Sequence, residues 1–226
     1  MSFRRIYDAM TRGPLIVEAF GKVEDMHDLT RDNFQNACEC FIGKDTASCA
    51  SSISAEDKKI NKMEMEIRKQ VFEYLAVSST PNVNASLILV STVIDYERIG
   101  DLSKNISQLP ILFPCEIEED EYIQQAKKMR NNIIEIFNLT KAAVRDGDLE
   151  KAQRAIRLHD ENKEIHNQIL EKLNEDASLS AKKGIIYALL SYYLRRINGH
   201  LGNISSTAIN SFPKMGFTGN MKDLDE

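Results

Sequence analysis

The fold is decided by the stretch at 95–106, which reads Asp95-Tyr96-Glu97-Arg98-Ile99-Gly100-Asp101-Leu102-Ser103-Lys104-Asn105-Ile106. A related stretch lies at 193–204 and reads Tyr193-Leu194-Arg195-Arg196-Ile197-Asn198-Gly199-His200-Leu201-Gly202-Asn203-Ile204. Each contains an Arg-Ile pair followed, at the same spacing, by an Asn-Ile pair. Self-similarity of this kind indicates an internal repeat.

On both sides of these stretches apolar residues recur every three to four positions, which is typical of amphipathic helices, and no alternation of period two indicates a strand. Six long helices are predicted. They run from residue 14 to about Gly43; from a Ser54–Asp57 capping signal to just before Pro81; from 83 to 107, before Pro110 and Pro114; from Glu118 to a turn at 146–148; from 149 to 174; and from 181 to 210.

The repeat extends beyond the two stretches. A shift of 103 residues places Phe34 on Phe137 and Asp57 on Asp160, in the same helical register. We therefore predict an all-α protein of two tandem three-helix bundles related by internal pseudo-symmetry. The predicted boundaries are 14–108 and 116–210 for the repeats, 1–13 for a short amphipathic lead helix, and 211–226 for a flexible tail.

Composition excludes several classes of protein. A hydrophobic content of 42% supports a packed core, and a net charge of −5 with interleaved acids and bases argues against a nucleic-acid-binding face. No apolar run reaches the length of a membrane span, and residues 1–12 lack the apolar core of a secretion signal. We therefore expect a cytoplasmic protein whose four cysteines, which form no C-x-x-C pair, are reduced thiols.

Two carboxylates lie on the apolar face of the third predicted helix. Glu97 and Asp101 are four residues apart, and so are neighbours on one stripe of the helix that continues to Asn105. Like charges at this spacing destabilise an isolated helix by roughly 0.2–0.5 kcal/mol, and Gly100 adds about 1 kcal/mol against helix formation. A cation is therefore expected beside the two carboxylates.

That cation is either a metal ion or a basic side chain. Divalent or ferric ions suit oxygen ligands, which facing helices of a bundle can supply. The alternative is neutralisation by Arg98, Lys104 or a base on the neighbouring helix. A polar face on the second helix could complete a metal site or could simply be solvated. The predicted metal ligands are Glu97, Asp101, Asp57 and Glu64.

The first stretch is similar to the D-L-E-R-I-G-D-x-x-x-N-I signature of the PhoU family, with Glu97 and Asp101 matching its E-x-x-x-D motif. The opening of the second helix (Asp57, Ile60, Asn61) and the duplication also resemble that family. The resemblance implies a pair of three-helix bundles, E-x-x-x-D metal sites and negative regulation of phosphate uptake. The implied metal is iron or zinc, with magnesium or manganese also open. The implied partners are the ATPase subunit of a phosphate ABC transporter, a phosphate-sensing histidine kinase or a sodium–phosphate cotransporter.

The second stretch departs from the family motif, because Arg195 replaces its Glu and Gly199 replaces its Asp. A guanidinium cannot ligate a metal, so a metal site in the second repeat is lost, and Arg195 is expected to pair with an acid on a facing helix. The histidines of this half (His159, His166 and His200) could form a relocated metal site. Since two of them stand about 10 Å apart along one helix, hydrogen-bonded histidines between helices are the preferred interpretation.

The leading functional hypothesis is a regulator, not an enzyme, that acts by protein–protein contact and reaches the membrane only through its partner. No Ser/His/Asp constellation, phosphate-binding Gly-rich loop or H-E-x-x-H motif is present. Two alternatives stay open: a metal-dependent hydrolase or oxidoreductase using Glu97 and Asp101, and a metal-free scaffold. Homodimerisation also stays open.

Overall fold

The structure is a computed structural model that describes residues 14–43 and 45–216, with side chains from Ile16 onward. Within these ranges the chain forms six long helices, one short 3-10 helix and no strand, which confirms the predicted fold class. The helices are α1 (Pro14–Ile42), α2 (Thr46–Val77), α3 (Val83–Leu112), α4 (Glu121–Asp146), α5 (Leu149–Glu175) and α6 (Ala181–Ser206), and the 3-10 helix is Phe212–Lys214. The predicted lead helix at 1–13 lies outside the described residues.

The helices pack as two groups of three. Helices α1, α2 and α3 contact one another, as do α4, α5 and α6, and the two groups meet through α3 against α6 and α1 against α4. One continuous hydrophobic core runs through both groups. Phe34 and Phe137, which the 103-residue shift equates, contact each other with ring centroids 6.2 Å apart. No helix among the described residues has an apolar stretch long enough to span a bilayer.

Helix α2 begins earlier than predicted. It starts at Thr46, and the Asp45 carboxylate caps it by accepting a hydrogen bond from the backbone N–H of Ser48 at 3.3 Å. The predicted start at Ser54 and Asp57 is therefore wrong. The extra turns form because Ile53 is buried against α1, which compensates for the weak helix propensity of the segment. Asp57 consequently lies within the helix and not at its end.

Three further helix ends differ from prediction. Helix α3 continues to Leu112 through Pro110, since Leu109 is buried and its carbonyl accepts the N–H of Phe113 at 2.9 Å. Helix α4 begins at Glu121, three residues late, because Asp120 is its N-cap. Helix α6 ends at Ser206 rather than at 210. The turn after α4 is as predicted, and Gly147 adopts the left-handed conformation that ends this helix (φ 68°).

The start of the predicted flexible tail is held against the bundle. The backbone N–H of Phe212 donates to the Asn84 side chain at 3.2 Å, and that of Gly216 donates to Ser206 Oγ at 2.8 Å. The ring of Phe212 packs on the main core. The prediction of a flexible tail is therefore corrected for residues 211–216, and residues 217–226 lie outside the described part of the chain.

The expectation of four reduced cysteines is wrong for one pair. Cys40, near the end of α1, and Cys49, in the second turn of α2, form a disulfide with their Cα atoms 5.7 Å apart. The pair meets because a tight connection joins two antiparallel helices at this point. Cys38 and Cys115 are free.

Candidate functional site

The acidic residues singled out from the sequence come together where α2 packs on α3. Lys104 lies at the centre of this acidic cluster. Its ammonium donates to Asp57 Oδ2 at 2.6 Å and to Asp101 Oδ1 at 2.7 Å. The Asp57 side chain is only 4% exposed, whereas water reaches Lys104. Burial opposes the charge on Lys104, but the bonds to the two carboxylates outweigh it and raise its pKa.

Gly100 allows the two helices to approach closely at this point. A Cβ atom at residue 100 would stand 3.1 Å from Ile60 Cδ1 and 3.2 Å from Asp57 Oδ1. These distances are tighter than ordinary contacts, so a side chain here would force the Ile60 and Asp57 side chains of α2 to shift. The glycine thus costs helix propensity but brings Asp57 within reach of α3.

The other two predicted ligands lie at the edge of the cluster. Glu97 is 3.4 Å from the Arg98 guanidinium, and Glu64 is 3.0 Å from that of Arg68. Burial, and next the neighbouring charge of Asp101, raise the pKa of Glu97. Glu97 is therefore a carboxylate with too little positive charge around it.

The residues of the cluster meet the needs of a bound metal only in part. Asp57 Oδ1 and Asn61 Oδ1 are buried and accept no hydrogen bond, as would suit oxygens that face a cation. However, Lys104 already bridges Asp57 and Asp101, and in residues 14–43 and 45–216 no group of three or more His, Cys, Asp or Glu side chains is arranged to hold a metal. The four-residue metal site stays a prediction, and the geometry favours the ammonium of Lys104 as the cation.

We expect Glu97→Gln to stabilise the protein at neutral pH by roughly 0.5 kcal/mol. A carboxyl whose pKa is raised on folding contributes stability below its ordinary pKa and loses it as the pH rises through the raised value. The gain from Glu97→Gln should therefore be present at pH 7.5 and fade toward pH 4.5, as measured by urea unfolding. Glu73→Gln, which removes the exposed partner of Lys69, is the control and should give no gain. A Glu97→Gln variant without any gain at pH 7.5 would contradict this prediction.

The second copy of the motif is open to solvent and basic. Arg195 forms no ion pair with any described residue, so the expectation that it pairs with an acid on a facing helix is not met. Asp160, the acid whose charge acts on Arg195, is bound instead to Lys163 at 2.9 Å. The two copies thus have opposite charge.

A family model described as the PhoU domain matches residues 23–109 and again residues 126–208. Together the two segments take up well over half of the chain. The chain belongs to the PhoU family. Each match falls on one of the two three-helix groups, so both halves are PhoU domains despite the altered second motif.

Individual PhoU relatives agree with this assignment. A protein of Thermotoga maritima described as phosphate-specific transport system accessory protein PhoU homolog 1 is 24% identical over 168 residues, which are 71% of each chain. The crystal structure of PhoU from Pseudomonas aeruginosa matches with a TM-score of 0.77 at 18% identity, over 86% of this chain and 95% of that one. The phosphate transport system regulatory protein PhoU from Streptococcus pneumoniae gives 0.78 at 17% identity, over 90% and 97%. The two structures show that the fold is shared.

The histidines of the second PhoU domain make hydrogen bonds between helices. The ring of the buried His159 is 2.9 Å from the backbone oxygen of Asn198, and that of His166 is 3.2 Å from Ser191 Oγ. Burial lowers the pKa of both imidazoles. Each histidine thus has a protein partner, which agrees with the interpretation preferred from the sequence.

Sequence reasoning missed the polar contact that joins the two PhoU domains. The carboxylate of Asp95 on α3 is 2.8 Å from the His200 ring and accepts the Asn203 amide at 3.2 Å, both on α6. All three residues belong to the two stretches that revealed the repeat. The sequence could have indicated this contact through helical spacing. Asp95 is two positions from Glu97, so on a helix it faces away from the acidic cluster and toward another helix.

Proposed function

We propose that this chain regulates phosphate transport or phosphate signalling by protein–protein contact, without catalysis. The observation that carries the proposal is the pair of PhoU domains, which fill most of the chain. The curated relative from Thermotoga maritima is an accessory protein of a phosphate-specific transport system. Candidate partners are the ATPase subunit of a phosphate ABC transporter, a sensor histidine kinase or a sodium–phosphate cotransporter, and in each case the chain would work in the cytoplasm, at the membrane only through its partner.

Exposed apolar side chains in the first PhoU domain support a contact role. Met65 and Phe72 lie seven residues apart, on the same side of α2, and are 63% and 71% exposed. Val77 at the end of α2 and Val83 at the start of α3 are also exposed. Two large apolar side chains that are exposed on the same side of one helix can form a contact with another protein.

The proposal is tested in two steps. Deleting the gene should change phosphate uptake, and tagged protein should co-purify with a phosphate transporter subunit or a sensor kinase. Phe72→Ser should reduce recovery of the partner about tenfold, as loss of a central aromatic contact does, without changing thermal stability. Leu149→Ser, which alters an exposed apolar residue of the second domain, is the matched control and should bind normally.

Two results would overturn the proposal. Unchanged phosphate uptake on deletion, with neither class of partner recovered, would reject the regulatory role. Turnover of a substrate that Glu97→Ala abolishes would show an enzyme instead. The predicted metal and homodimer are tested separately, by metal analysis of the purified chain and by its mass in solution.

A further inference from the structure

A basic pocket lies on α6 at the second copy of the motif. Its lining is Arg195, Arg196, Gly199, His200 and Asn203, and we call it the Arg195 pocket. When the stretch at 193–204 is aligned with that at 95–106, a shift of 98 residues, Arg195 and Gly199 stand at the positions that Glu97 and Asp101 occupy in the first domain. The pocket is therefore the counterpart of the acidic cluster.

The two guanidiniums have no acidic partner in the described part of the chain. Asp160, the acid that acts on Arg195, is bound to Lys163. Asp95, the acid beside the pocket, is bound by the His200 ring and the Asn203 amide. The acids around the pocket are thus already paired, and the charges of Arg195 and Arg196 are left over.

Arg195 is held in an unfavourable environment for a cation. Partial burial lowers its pKa, and the neighbouring charge of Arg196 lowers it further. Lys163 adds a third positive charge nearby, since both Lys163 and Arg195 lower the pKa of His159. A partly buried guanidinium among like charges, and without a counter-ion among the described residues, favours the binding of an anion.

The pocket also has space for a ligand. Gly199 carries no side chain at the position of the family's aspartate, and a Cβ there would stand 3.7 Å from Arg195 Nη1. The guanidinium of Arg195 therefore lies over Gly199, and the pocket beside it has a volume of about 230 Å³. Arginine binds the oxygens of phosphate through two parallel hydrogen bonds, a geometry that lysine cannot copy.

We propose that the Arg195 pocket binds an oxyanion of the phosphate class, with inorganic phosphate as the ligand and the guanidiniums of Arg195 and Arg196 as its donors. The first domain meets its buried charge with an internal cation, Lys104. In the second domain the motif is positively charged, and its counter-ion comes from solution. This inference does not depend on the proposed regulatory role, since it concerns the isolated chain.

The test is calorimetric titration of the full chain with inorganic phosphate at constant ionic strength. Arg195→Ala and Arg196→Ala should each weaken phosphate binding about tenfold or more, as loss of charge-assisted hydrogen bonds does. The affinity of Arg195→Lys for phosphate should lie between that of wild type and that of Arg195→Ala. Arg98→Ala removes the exposed counterpart of Arg196 in the first domain and should bind phosphate as wild type does. Without phosphate, Arg195→Ala should unfold at the wild-type temperature or above it, since it removes an unpaired charge.

Residues 217–226 carry three acids, Asp223, Asp225 and Glu226, and a chain ending at Gly216 separates their effect from that of the pocket. Equal or tighter phosphate binding by this shortened chain, lost again on Arg195→Ala, supports the proposal. Absence of phosphate binding in both the full and the shortened chain overturns it. Binding that Arg195→Ala and Arg196→Ala leave unchanged also overturns it, because the anion would then lie elsewhere.

Discussion

Lys104→Met should lower the free energy of unfolding by about 3 kcal/mol, since removing one partner of a buried ion pair leaves an uncompensated charge. Asp57 would lose the ammonium at 2.6 Å while remaining buried between α2 and α3. Its other oxygen already lacks a partner, so nothing within the described residues replaces the lost bond. We place the effect at the low end of the range for buried pairs because water reaches the Lys104 side chain. Urea unfolding at pH 7.5, with a chelator present, measures it.

Two comparisons isolate the ion pair. Arg98→Met removes an exposed cation that is 3.4 Å from Glu97 and 3.8 Å from Asp101, and it should cost less than about 0.5 kcal/mol. The double variant Asp57→Asn/Lys104→Met should recover much of the loss, since no buried charge remains. A cost below about 0.5 kcal/mol at pH 7.5 would show that Lys104 is not the main counter-ion of Asp57.

Acid should weaken the fold through His27, by about 3 kcal/mol between pH 6.5 and pH 4. Burial lowers the pKa of this imidazole to about 4. The unfolded chain binds a proton near pH 6.5, whereas the folded chain does not. The contribution to stability is therefore complete above pH 6.5 and is lost as the pH falls toward 4. The ring lies where the two domains meet, 2.7 Å from the Tyr96 hydroxyl and edge-on to Phe137.

His27→Gln removes this titration. The variant should be less stable than wild type at pH 7.5, because it loses ring contacts with Tyr96 and Phe137. Between pH 6.5 and pH 4, however, its free energy of unfolding should fall less steeply, because it takes up about one proton fewer on unfolding. Urea unfolding at four pH values across this window gives the slope. Tyr96→Phe keeps the buried imidazole and should retain the wild-type slope. Identical slopes for wild type and His27→Gln would show that His27 is not the group responsible.

Much of the fold could be predicted because it depends on local patterns that the repeat shows twice. The spacing of apolar residues gave the six helices, and Gly43 and Gly147 marked two of the ends. The predicted start of α2 was wrong because the sequence around Ser54 matches a capping pattern, although Asp45 is the N-cap. Burial of Ile53 extends the helix from Ser54 back to Asp45. Helix ends depend on such tertiary contacts, which a one-dimensional pattern does not contain.

The acidic cluster was predicted in part for the same reason. Helical spacing placed Glu97 and Asp101 together and required a cation, and Lys104 was among the candidates. The spacing could not choose between an internal base and a metal, because the choice depends on how closely α2 approaches α3. Gly100 leaves room for the Asp57 and Ile60 side chains at this contact, and the sequence showed it only as a cost in helix propensity.

The sequence by itself determined the helical class, the duplication and the change of charge between the two motifs, since these follow from residue type and periodicity along one chain. Only the tertiary structure decided which charges are paired: Lys104 joins Asp57 to Asp101, His200 and Asn203 hold Asp95, and Arg195 is left without an acid. The physical reason is that electrostatic energy depends on distance and burial between different helices. Both are fixed by packing, not by neighbourhood in the chain.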